Sequence, residues 1–215
     1  VAPSTTRFLC VSNAVQRRLL DDVGIEKGRT QVVYNAVDPV FLSDVPVAPA
    51  SVSCPGPHIV IFSQLLPLKG HQVFLEAARI LAGRLPDARF YIVGGLPYAD
   101  LRPYVSSLIA RSDDPPLKGR VTVTGFRQDV VPLMLAMDVV AMCSVEDEAL
   151  GLALAEAMAL GKKVVGTSIG GTVEVIEDGV TGRLVPPNHP EALAAAIEEL
   201  ASRPSDDPMG ARAAA

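Results

Sequence analysis

Two carboxylates, Glu148 and Glu156, stand in a stretch that is otherwise almost entirely Ala, Leu and Gly, EALGLALAEAMALG at 148–161. Burying an unpaired carboxylate is costly, so acids in so apolar a segment need either partners or solvent. Ala, Leu, Met and Glu are strong helix formers, and no β-branched residue occurs from 148 to 160. The segment therefore reads as a helix starting near Gly151, apolar all round and largely buried, with Gly161 as its left-handed cap. A helix rises roughly 7–8 Å from Gly151 to Glu156, which puts Glu148 ahead of the helix and Glu156 inside it. Backbone N–H groups around Leu150 to Leu152 would receive an anion between the two acids. Carboxylates accept hydrogen bonds from sugar hydroxyls, so the order acid, anion seat, acid suits a nucleotide-diphosphate sugar. The plainer alternative leaves Glu156 on a solvent stripe and Glu148 in an exposed acidic loop, VEDE at 145–148.

The elements that must position these residues are legible from periodicity. From His58 onward, β-branched or apolar runs at 58–63, 89–94, 120–125, 138–143, 162–167 and 182–186 read as strands. Helix-like segments lie between them at 70–84, 99–111, 129–137, 151–160 and 172–178, with 190–202 closing the series. That alternation predicts an α/β domain, a doubly wound, Rossmann-like parallel sheet of about six strands covered on both faces. Ligands of such sheets sit outside the carboxyl ends of the strands. Before residue 58, Arg7–Ser12 reads as a strand, Asn13–Val23 as a helix and Gln31–Tyr34 as a strand. The expected organisation is the end of a preceding domain and its crossover at 1–42 and a Pro-rich linker at 43–57. The main domain follows at 58–203 and a tail at 204–215.

Composition narrows the function classes. Hydrophobic residues make up 49% of the 215 residues and charged ones 20%, a folding sequence with room for a core. A net charge of −5 without a basic run argues against nucleic acid and against a polybasic membrane-binding segment. No apolar run is long enough for a transmembrane helix, and the N-terminus lacks signal-peptide form. Cys10, Cys54 and Cys143 are scattered, fitting reduced thiols in the cytosol better than disulfides or zinc. The EDE run at 146–148 lacks a companion His or second carboxylate cluster, so no metal site is expected.

At this point SVEDEALGLALAEAMALGKKVVGTSIGGTVEVIEDGVTGRLVPP resembles the signature region of the retaining group 1 (family 4) glycosyltransferases, which have the two-domain GT-B fold. Glu148 and Glu156 occupy its two glutamate positions, and Gly170, Gly171, Glu174, Asp178, Gly179, Thr181 and Gly182 match the rest. FSQLLPLKGHQVFLEAARIL, ARFYIVGG, RVTVTGFRQDV, AMDVVAMCS, SNAVQRRLL and VVYNAVDPVFL match other parts of the family in order. The resemblance implies a nucleotide-diphosphate sugar donor, such as a UDP- or GDP-sugar, with Glu148 on the sugar hydroxyls and Glu156 on the ribose. Ala149, Leu150, Gly151 and Leu152 would follow the sugar and diphosphate, and Lys69, with Gly70 behind it, would offset the diphosphate charge. Loops at Gly94 and at Gly125, Phe126 and Arg127 are where the family places the base. No bound metal or other cofactor is implied. A hexose would pass to a saccharide or lipid-linked acceptor held by a missing N-terminal domain. The resemblance therefore implies a cytoplasmic protein, with any contact to the inner membrane face made through that absent part. Residues 1–215 alone are expected to bind nucleotide but to transfer little sugar.

This chain departs from the family pattern at Gln64, where Arg is usual. An amide donates hydrogen bonds but supplies no charge, and Arg127 is the candidate replacement. Lys163 stands where Pro is usual and reads as an exposed strand start. His71 reads as a first-turn helix residue and not a base, and Phe90, Tyr91 and Phe126 read as core. A noncatalytic Rossmann-like nucleotide- or partner-binding module is the alternative. A dinucleotide-dependent oxidoreductase is disfavoured because no G-x-G-x-x-G follows the strand at 58–63.

Overall fold

The computed structural model describes residues 6–42, 49, 50, 52, 54–204 and 209. The first five residues, positions 43–48, 51 and 53 of the expected linker, and the tail beyond Pro204 apart from Met209 lie outside the described residues. Six parallel strands, β3 (His58–Phe62), β4 (Arg89–Val93), β5 (Val121–Gly125), β6 (Val139–Met142), β7 (Lys163–Thr167) and β8 (Arg183–Val185), form one sheet in the order β5-β4-β3-β6-β7-β8. The order reverses between β3 and β6, which opens a crevice outside their carboxyl ends. A separate parallel pair, β1 (Phe8–Cys10) and β2 (Thr30–Val32), is joined by α1 (Asn13–Asp21).

Side-chain alternation along the central strands builds one core on each face. Ile59 and Ile61 of β3 and Val139 and Ala141 of β6 face one side, packing with Phe74, Leu81, Phe90 and Ile197. Those side chains come largely from α2 (His71–Arg84) and α7 (Pro190–Ser202), with α3 (Arg102–Asp113) adding Leu108. Val60, Phe62, Val140 and Met142 face the other side, against α4 (Val130–Leu135) and α5 (Leu152–Ala159). Fully burying one such side chain contributes on the order of 1.5–3 kcal/mol, so the sheet is clamped from both faces. Phe90 is fully buried, as expected, and Tyr91 is half-buried.

Differences from the sequence reading have local causes. α6 (Thr172–Val175) stops short of the expected 178 because Ile176 is extended, φ −106° and ψ 127°. The chain then enters a turn in which the Gly179 N–H donates to the Gly182 carbonyl at 2.8 Å and Thr181 Oγ1 accepts from the Glu177 N–H at 2.9 Å. Asp178, Gly179, Thr181 and Gly182 thus build a turn leading into β8. Lys163, expected to be exposed, is buried instead. Its Nζ donates to the Arg203 carbonyl at 2.8 Å, so the charged tip finds a backbone acceptor at the end of α7.

Candidate functional site

The crevice between β3 and β6 is a cavity of about 420 Å³. Ser63, Gln64 and Lys69 enter it from the loop after β3, Ser144 and Glu148 from the loop after β6, and Leu152 and Ala153 from the start of α5. Glu148 is buried, which removes the exposed-loop alternative for this residue. Its Oε2 accepts from Lys69 Nζ at 2.7 Å and from Ser144 Oγ at 2.7 Å. A buried carboxylate is tolerable on those terms, with a cation and a hydroxyl supplying what water would. Lys69 is the single cationic side chain among the residues lining the cavity.

Close backbone approaches fix both loops. Gly70, which follows Lys69 and precedes α2, is left-handed at φ 71°, and a Cβ there would meet the Cys143 carbonyl oxygen at 1.8 Å. A Cβ on Gly94 would meet the Ser63 carbonyl oxygen at 1.7 Å, so the ends of β3 and β4 are held in contact. On the other loop, the Gly171 N–H donates to the Glu148 carbonyl at 2.7 Å, and a Cβ on Gly170 would lie 2.1 Å from that same oxygen. Gly170 and Gly171 therefore seat the backbone of Glu148 and Ala149.

Residue 151 is a left-handed glycine, φ 93°, and caps α5 without a side chain. The Leu154 N–H donates to the Gly151 carbonyl at 2.9 Å, whereas the Leu152 and Ala153 amides have no earlier turn to bond, at the end of the helix that favours negative charge. Leu150, just ahead of the helix, is buried. Of α5 itself only Leu154, Ala157 and Met158 are buried, less than the sequence reading expects, because its other residues border three cavities.

Glu156 does not share the first cavity. It lines a second one of about 470 Å³, with Asp38, Val40 and Phe41 from the crossover and Gln128, Val130, Val131 and Pro132 near α4. Burial, and then the charge of Asp38, raise the Glu156 carboxyl above the ordinary range. Sequence reasoning missed Asp38, whose partner is 118 positions away in the chain; only its place in the YNAVDPVFL segment marked it.

The Gly94 N–H donates to the Gly125 carbonyl at 3.0 Å, joining the ends of β4 and β5. Phe126, expected in the core, is instead 75% exposed, because β5 is an edge strand and the chain turns outward after Gly125. Arg127 pairs with Asp129, Nε to Oδ1 at 2.8 Å, and lines neither cavity.

A clamp not foreseen from sequence holds the β1–α1–β2 unit on the second loop. Glu174 accepts from the Asn13 and Ala14 N–H groups at 2.9 and 2.8 Å and from Tyr34 OH at 2.9 Å. Ser12 Oγ donates to the Ala149 carbonyl at 2.5 Å. Glu174 thus caps the first turn of α1 from the far end of the chain, where its negative charge meets the positive end of the helix. Partial burial works to raise its carboxyl, but the bonds from Asn13, Tyr34 and Ala14 outweigh it and hold the group below the usual carboxylate range. Glu174→Ala is expected to lower stability by about 1–2 kcal/mol in urea denaturation. The loss should appear as faster hydrogen exchange at Asn13 and Ala14; unchanged exchange there would refute the clamp.

Among the described residues no group of three or more His, Cys, Asp or Glu side chains is placed to hold a metal, and no helix is long and apolar enough to cross a membrane.

Comparison with known proteins adds a lineage to this geometry. A family model described as "Glycosyl transferases group 1" matches residues 56–203. The alpha-D-kanosaminyltransferase of Streptomyces kanamyceticus is 32% identical over 149 residues, covering 69% of this chain and 37% of that protein. A D-inositol 3-phosphate glycosyltransferase of Mycolicibacterium gilvum is 33% identical over 181 residues, 81% of this chain and 40% of its own length. Among solved structures, a glycosyltransferase from Rickettsia africae superposes with a TM-score of 0.85 at 26% identity, covering 98% of this chain and 56% of the other. Anabaena HepE in complex with UDP-glucose superposes with a TM-score of 0.83 at 29% identity, over 97% of this chain and 57% of HepE. The chain thus spans well under two thirds of each of these relatives.

Proposed function

Because this chain belongs to the group 1 glycosyl transferases, we propose that it is the donor-binding half of a retaining, family 4 enzyme of the GT-B type. On this reading it holds a nucleotide-diphosphate sugar whose hexose passes to a saccharide or lipid-linked acceptor. The observation that carries the reading is the Lys69–Glu148 pair, 2.7 Å apart, in the crevice beside the uncapped start of α5. Binding of UDP and UDP-glucose by HepE supports it.

The residues take their roles from position. The diphosphate lies between Lys69 and the first-turn amides of α5, along the backbone of Ala149, Leu150 and Gly151. Glu148, as it yields Lys69 to the phosphates, accepts from the hexose hydroxyls. Ribose lies in the second cavity against Glu156, one turn along α5, with the base toward the ends of β4 and β5. As the glycosidic bond breaks, negative charge grows on the departing phosphate oxygen. A fixed ammonium and an aligned helix terminus stabilise that charge more in the transition state than in the ground state, which is what accelerates the step. They also supply the positive charge that a metal would otherwise bring. In the whole protein, acceptor binding falls to residues beyond this chain, at the cytoplasmic face of a membrane where the acceptor is lipid-linked.

A thermal-shift panel with UDP, GDP, ADP and their sugars tests the reading. Ligand at about 100 times its dissociation constant adds roughly 2.7 kcal/mol, on the order of 5–10 °C for a chain of this size. One nucleotide is expected to shift the wild type, and Glu156→Ala to abolish the shift. A shift that survives Glu156→Ala unchanged would remove the ribose from the second cavity.

A further inference from the structure

A buried polar relay ends at the first cavity and is used by none of the roles above. His71, the first residue of α2, has no exposed surface. Both ring nitrogens are engaged: Nε2 lies 2.9 Å from Ser63 Oγ, and Nδ1 lies 3.1 Å from Tyr104 OH on α3. Ser63 lines the cavity beside Gln64 and Lys69. Burial pushes the His71 imidazole down to about 4, against the Leu66 carbonyl, which works to raise it; the nearby Lys69 charge lowers it further. The ring is therefore neutral at pH 7, with one donor and one acceptor nitrogen. Burial pushes the Tyr104 hydroxyl up to about 12, so it keeps its proton.

Two directions of hydrogen bonding satisfy this relay. In one, Ser63 turns its O–H to Nε2, Nδ1–H donates to Tyr104, and the cavity sees only lone pairs of Ser63. In the other, Tyr104 O–H donates to Nδ1, Nε2–H donates to Ser63 Oγ, and the Ser63 O–H is released into the cavity. A neighbouring anion selects the second, because every donor in the chain then points toward the negative charge and each bond strengthens the next. Each residue keeps its number of protons: within His71 the ring proton passes from Nδ1 to Nε2, and the Ser63 and Tyr104 hydroxyls turn to match.

We propose that Ser63 is a further diphosphate-binding residue, with His71 and Tyr104 as positioning residues that turn its hydroxyl toward the phosphate. The inference rests on the reading of the first cavity as the diphosphate site. It also accounts for how a site with Gln64 and a single ammonium holds a dianionic group: neutral donors, preorganised from behind, add to Lys69.

Isothermal titration with UDP, GDP, ADP, their nucleosides and inorganic pyrophosphate tests it on the wild type, Ser63→Ala, Tyr104→Phe, the double variant and Lys69→Ala. Each apo protein is first checked for folding by its melting curve. Ser63→Ala is expected to weaken the preferred diphosphate about 10-fold, as for a lost bond to a charged group, and to leave its nucleoside unchanged. Tyr104→Phe, which frees the tautomer, should weaken it about 3-fold, and the double variant should bind no worse than Ser63→Ala alone. Additive losses would overturn the positioning role. If Lys69→Ala weakens binding and Ser63→Ala does not, the cavity is the diphosphate site and the Ser63 assignment is wrong. Absence of all binding by the wild type would overturn both readings.

Discussion

Replacing Lys69 by Met is expected to weaken binding of the preferred nucleoside diphosphate about 100-fold in isothermal titration, and to destabilise the apo protein by about 2 kcal/mol. The first effect follows from chemistry at one atom. Nζ is the sole ammonium among the described residues lining the first cavity, and a hydrogen bond to a charged group is worth about 1.5–3 kcal/mol, or roughly 10- to 150-fold in affinity. The second effect comes from the partner left behind. Glu148 is buried, and without Lys69 its carboxylate keeps only Ser144 Oγ, at 2.7 Å. Removing one member of a buried pair costs about 3–5 kcal/mol at most sites, and the remaining hydroxyl offsets part of that.

The two effects separate in a double-mutant cycle. Lys69→Met with Glu148→Gln removes both charges while keeping the volumes, so stability should return to within about 1 kcal/mol of wild type. Affinity should not return. If the double variant regains binding, the ammonium acts only by neutralising Glu148, and the phosphate contact is ruled out. Glu148→Gln alone frees Lys69 from its partner; UDP should then bind at least as well, while any preference for UDP-sugar over UDP disappears. In this scheme the pair is a resting arrangement that the diphosphate exchanges for its own charge.

Much of this was legible in the chain because it is written locally. The strands of the main sheet show their β-branched runs, and α5 shows an unbroken string of helix formers ending at Gly161. Glu148 could be marked as an acid in an apolar stretch, and Lys69 by the resemblance of its loop to the family's. What stayed hidden depends on partners distant in sequence. Lys163 looks like a surface residue until the end of α7 brings the Arg203 carbonyl to it. Phe126 looks like core until β5 proves to be an edge strand. Glu174 could be matched to a motif, but its bonds to Asn13, Ala14 and Tyr34 span at least 140 positions, and no local pattern encodes them. Nor did His71 announce a relay, since Ser63 meets it from the loop after β3 and Tyr104 from α3.

Glycine gives the sharpest separation between conformation and space, and the last expected result exploits it. Gly70 and Gly125 have nearly the same backbone, φ 71° and 73°. A side chain at either must adopt the left-handed region, which costs roughly 1–2 kcal/mol for a non-glycine residue. Around Gly125 nothing lies within 4 Å of an added Cβ. Around Gly70 the Cys143 carbonyl oxygen would lie at 1.8 Å and its carbon at 2.8 Å, both backbone atoms at the end of β6. Gly125→Ala should therefore lose about 1 kcal/mol in urea denaturation. Gly70→Ala should lose upwards of about 4 kcal/mol, the range of severe overpacking and backbone strain together. The way it fails is also specified. Relief of the clash moves the Lys69 loop away from β6, so the ammonium leaves Glu148, and nucleotide affinity falls even where the variant still folds. Equal losses at the two glycines would mean that the contact between the Lys69 loop and β6 is not held in solution. The Lys69–Glu148 pair would then lack the frame that the candidate site requires.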